Sequence, residues 1–69
     1  MKYRVIVNGV SFYTSGAAIK RGVGDSVGVN AAVRQLFECM FNAVGVSSTM
    51  TVYDHKMNRT SYNVQISKV

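Results

Sequence analysis

The side chains able to do covalent chemistry are few: one histidine, His55, one cysteine, Cys39, and three carboxylates, Asp25, Glu38 and Asp54. Nucleophilic or acid–base catalysis needs two or three such groups within hydrogen-bond reach, and a structural metal needs about four ligands. The spacing supplies neither. Asp54 neighbours His55, but strand alternation turns adjacent side chains to opposite faces. Cys39 borders an apolar helical stripe and reads as a small buried hydrophobe, and a lone cysteine excludes an internal disulfide. No catalytic residue, metal or other cofactor, or small-molecule substrate is expected, and the chain is read as a non-enzyme.

What remains is the chemistry of contact. Eight Lys and Arg against three Asp and Glu give a net charge of +5 and a pI near 9.8. That pI is a first hint of nucleic-acid binding, although scattered charge on a small domain also serves solubility. The cations stand at Lys2, Arg4, Lys20, Arg21, Arg34, Lys56, Arg59 and Lys68, never more than two together. Lys20-Arg21 lies among glycines ahead of a helix, where a phosphate could be cradled. The Gly-Lys-Ser/Thr of a P-loop is missing, however, and Asp25 opposes an anion, so a flexible basic loop is the simpler reading. Whether the cations act together depends on the elements that position them.

Asn8-Gly9 between KYRVIV and VSFYTS is a two-residue type I′ hairpin signal, which pairs Val7 with Val10, Val5 with Phe12, Arg4 with Tyr13 and Lys2 with Ser15. One face then carries Tyr3, Val5, Val7, Val10, Phe12 and Thr14. The other carries Lys2, Arg4, Ile6, Ser11, Tyr13 and Ser15, with Arg4 placed for a cation–π contact to Tyr13. Residues 16–28 are glycine-rich and read as a mobile connection, although Ser15 is able to cap a short turn through Ile19 that Gly22 stops. From Asn30 as N-cap to Gly45, Val33, Leu36, Phe37, Met40, Phe41 and Val44 recur at steps of three and four, which predicts an amphipathic helix over 30–44. A start at Asp25 or Ser26 would add a turn but place Gly28 inside it.

A second hairpin is expected over 48–67. With Lys56-Met57-Asn58 as the loop and Asn58 in the left-handed position, His55 faces Arg59, Val52 faces Tyr62 and Met50 faces Val64. Met50, Val52, Tyr62, Val64 and Ile66 then form an apolar stripe. Two one-sided hairpins around one helix give a single small domain over 1–69, an α+β chain of ββαββ order with a four-stranded antiparallel sheet and the helix on one face.

The uncovered face of that sheet collects Lys2, Arg4, Ile6, Tyr13, Tyr53, His55 and Arg59, with Lys20, Arg21 and Lys56 at its margins. Such a surface can stack bases and hold phosphates of RNA or single-stranded DNA, or anchor in a protein partner. The element order is not that of an RNA recognition motif, a double-stranded RNA-binding domain or a KH domain. In size and lack of a catalytic motif the chain resembles the small accessory proteins with which bacteriophages redirect or inhibit host proteins. That likeness implies a binding protein acting on a host protein, with an RNA or single-stranded nucleic-acid-binding homodimer as the alternative. A chain this short buries only about 60% of its unfolded surface, and each outer strand leaves an open edge, so a homodimer is expected. No run approaches the roughly 18 apolar residues of a membrane span, so a cytoplasmic protein is expected.

Overall fold

The computed structural model describes residues 2–23 and 26–69, which fold as β1 (Lys2–Val7), β2 (Val10–Ser15), α1 (Gly16–Arg21), α2 (Val27–Glu38), β3 (Gly45–Tyr53) and β4 (Arg59–Lys68). The strands make one antiparallel sheet in the order β2-β1-β4-β3. Both helices lie on one face of it. The outer strands are thus β2 and β3, and the chain's first and last strands are neighbours at the centre.

The first hairpin takes the register that Asn8-Gly9 requires, from Lys2 opposite Ser15 to Val7 opposite Val10, with Asn8 and Gly9 at φ 50° and 87°. Asn8 also ties the hairpin to β4: its N–H donates to Asn63 O and its Oδ1 accepts from Asn63 N–H, both at 2.9 Å.

The expected mobile connection is instead largely helical. Ser15 Oγ accepts from Ala18 N–H at 3.2 Å, and Gly22, at φ 116°, closes α1 by donating to Ala18 O and Ile19 O. Burial of Ile19, which is 0% exposed, holds this six-residue helix on the core. The described residues therefore form two helices, and the suggested alternative turn is the one that forms. Gly24 and Asp25, and with them the Asp25 part of the phosphate and capping readings, lie outside the described residues.

The long helix is displaced toward the N-terminus from the expected 30–44. Ser26 is its cap, with Oγ accepting from Val29 N–H at 3.2 Å, and Gly28 sits in the first turn. A Cβ on Gly28 would stand 2.6 Å from the Tyr62 hydroxyl, so the missing side chain lets the helix lie on β4. At the other end α2 stops at Glu38. Lys68 N–H donates to Val44 O, which holds the chain beside β4 by Val44, whereas six more helical residues would have carried it about 9 Å further along the helix axis. Three residues depart from expectation. Phe41, expected in the core, turns outward at φ 46°, and Val44 is exposed beside β3. Cys39, expected to be buried, is exposed, with Sγ 3.4 Å from Gln35 O.

The second hairpin starts at Gly45 and its register differs from expectation by two residues: Met50 faces Tyr62, Val52 faces Thr60 and Tyr53 faces Arg59. Asp54 is the cause. Its Oδ1 accepts from Lys56 N–H (2.8 Å) and Asn58 N–H (2.9 Å), and its N–H donates to Asn58 O. The carboxylate thus fixes the loop as His55-Lys56-Met57 with Met57, not Asn58, left-handed at φ 66°. A shift of two preserves the face of every side chain, so the apolar stripe still points inward. Tyr3, Val5, Val7, Val64 and Ile66 of the sheet meet Ile19, Ala32, Val33, Leu36 and Met40 in the core, and Tyr3 makes an edge-on ring contact with Phe37 at 5.1 Å.

Candidate functional site

The face of the sheet away from the helices is uncovered, and pairing places its side chains in rows across the strands. At one end Tyr13, Arg4 and Ser67 stand side by side, with Lys2 and Ser15 beyond them. Next come Ser11, Ile6, Gln65 and Ser47, then Asn63 with Thr49, then Ser61 with Thr51. Arg59 and Tyr53 close the far end. The two Tyr–Arg pairs are eight residues apart along β4, counted from Ser67 to Arg59, or roughly 26 Å along the strand.

Alternation along each strand decides this arrangement. On β1 the residues at 3, 5 and 7 enter the core, so those at 2, 4 and 6 face out; on β4 the inward residues are 62, 64 and 66. Tyr13 is 60% exposed and Tyr53 56%, large apolar rings held in water. Between the pairs the face is polar and uncharged. Thr49 Oγ1 donates to Asn63 Oδ1 at 3.0 Å, and the Thr51 and Ser61 hydroxyls are 3.4 Å apart, so cross-strand bonds hold these side chains flat. A depression of about 380 Å³ lies here, lined by Ile6, Ser47, Thr49, Asn63 and Gln65 among others.

The expected site residues thus separate into groups. Lys2, Arg4 and Tyr13 form one end of the face, and Tyr53 with Arg59 the other. His55 and Lys56 belong to the hairpin turn rather than to the strand row, so the expected His55–Arg59 pairing is replaced by Tyr53–Arg59. His55 and Tyr53 line a cleft of about 570 Å³ between the turn and the start of α2, with Val27, Thr60 and Tyr62. Lys20 and Arg21 lie in the last turn of α1, in the helical layer. There Lys20 shares a depression of about 260 Å³ with Arg34, Phe37 and Glu38.

Sequence periodicity misses Phe41, because it is in phase with the core stripe; only the early end of α2 expels it. Among titratable groups, the Asp54 carboxyl is held below its ordinary value chiefly by the Asn58 N–H, opposed by desolvation and helped by the Lys56 N–H and the Asn58 amide. Among the described residues no three His, Cys, Asp or Glu side chains come together as a metal site, and no helix is long and apolar enough to cross a membrane. No family model matches this chain, nor does any curated protein or solved structure.

Proposed function

We propose that this protein is a non-catalytic binding protein whose uncovered sheet face docks on another protein and modulates or blocks it. The observation that supports this reading is the make-up of the face: an uncharged hydroxyl and amide centre around Ile6, bounded by Tyr13–Arg4 and Tyr53–Arg59. A track for single-stranded nucleic acid combines cations along its length with aromatic platforms for successive bases. Here the three rows between the Tyr–Arg pairs hold no cation. Tyr and Arg anchors with adaptable Ser and Asn contacts are instead the composition of surfaces that recognise proteins. Such behaviour is that of the bacteriophage accessory proteins which the chain resembles in size and build, acting on a host protein in the cytoplasm.

Capture from lysate with and without nuclease treatment, with wild type beside the Tyr13→Ala/Tyr53→Ala variant, tests the reading. Wild type is expected to retain one stoichiometric protein at high salt, and the variant to lose about 2 kcal/mol or more of its affinity for it. Recovery of heterogeneous RNA that nuclease abolishes, with a salt slope that flattens by about one for each Arg removed, would replace this reading with nucleic-acid binding.

A further inference from the structure

We propose that two copies of this chain join through β3, strand against strand about a two-fold axis at Thr49, so that two four-stranded sheets become one continuous sheet. The hydrogen bonds at both ends of β3 show which of its backbone groups are open. Lys68 N–H donates to Val44 O, and Asp54 N–H donates to Asn58 O, so even-numbered residues of β3 turn their N–H and C=O toward β4. Gly45, Ser47, Thr49, Thr51 and Tyr53 turn theirs outward, where no strand stands among the described residues.

This edge lacks the devices that normally prevent pairing. Over its nine residues it has no proline and no charged side chain, and its register to β4 runs without a bulge. It is also complementary to itself. Antiparallel pairing about Thr49 sets Val46 against the other copy's Val52, Ser48 against Met50 on the helical side, and Ser47 against Thr51 on the open side. Each outward residue meets an outward residue, which makes the register a hydrogen-bonding one over the full strand.

Charge selects this edge over the other. The chain carries +5, so two copies repel unless they meet where cations are scarce. The β2 edge is six residues long and flanked by Lys2 and Arg4 on β1 and by Lys20 and Arg21 on α1. Beside β3, the cations of β4 stand at the strand ends, Arg59 opposite Tyr53 and Lys68 one step past Ser67, and the residues between them, from Thr60 to Ser67, are uncharged; on α2, Arg34 and Glu38 line a depression with Lys20 of α1. In the pair, the two open faces lie side by side as one surface with Tyr–Arg anchors from both copies.

Thr49→Lys and Thr49→Glu test the axis, because each places like charges opposite one another across the two-fold. By sedimentation equilibrium at tens of micromolar, wild type is expected to be a dimer, each variant alone a monomer, and an equimolar mixture of the two a dimer again. Circular dichroism verifies that both variants remain folded. In a Cys39→Ser background, mild oxidation of Thr49→Cys is expected to give a covalent dimer and that of Ser11→Cys, on the β2 edge, none. A monomeric wild type, or a dimer indifferent to both charges, would overturn the proposal. Mass is read without any partner, so this result and loss of partner capture are separate outcomes.

Discussion

Phe41 is held in a backbone region that suits glycine or asparagine while its ring is 88% exposed. A bulky residue with φ near 46° bears a cost of about 1 kcal/mol that no burial offsets. Phe41→Asn is therefore expected to raise stability, by up to about 1 kcal/mol in urea unfolding. A lower midpoint would show that the ring packs on the protein in solution. Ile19 shows the opposite relation: a modest side chain in a glycine-rich stretch, completely buried, turns a loop-like composition into a helix anchored on the core. Neither outcome is visible from residue type alone, because both depend on where the chain must go next.

At the scale of elements, the turn after β3 is set by one carboxylate. Asp54 is stabilised as the anion by the Asn58 and Lys56 N–H groups, so its folded-state pKa lies below its unfolded value. The sign follows: its contribution is fully present above the unfolded pKa of about 3.9 and is lost as the pH falls through the lower folded value. Amide exchange at Lys56 and Asn58, corrected for intrinsic rate, is expected to accelerate as pH falls through that range. Asp54→Ala should show the faster exchange already at neutral pH. Exchange unchanged between pH 6 and 2 would mean that the loop is held by its backbone bonds alone. The same carboxylate moves the hairpin register by two from that expected with Asn58 as the left-handed residue, yet leaves the apolar face intact.

For the whole molecule, the proposed docking rests on features of different range. Tyr–Arg anchors would act on contact, whereas a net charge of +5 would steer an acidic partner from afar. With the captured protein in hand, stopped-flow mixing is expected to show an association rate that falls steeply with salt and a dissociation rate that barely changes. The reverse would place the cations inside the interface. Much of this architecture is legible in the chain. Asn8-Gly9 dictates the first hairpin and its register, and period-two patterning dictates which sides of both hairpins face the core, because these are local properties of turns and strands. The start of α2 at Ser26 was among the readings the chain offered, but its end was not legible: Phe41 and Val44 continue its apolar rhythm, and only the need to begin β3 beside Lys68 ends the helix. Strand order was equally hidden. Nothing local says that β1 and β4 meet at the centre, yet that meeting sets the two Tyr–Arg pairs far apart and leaves β3 as the long uncharged edge. Sequence by itself determined the two hairpins and which of their faces turn inward, since turn chemistry and alternation are short-range. Tertiary structure alone decided which faces adjoin, because that is settled by contacts between residues distant in the chain, such as Asn8 with Asn63.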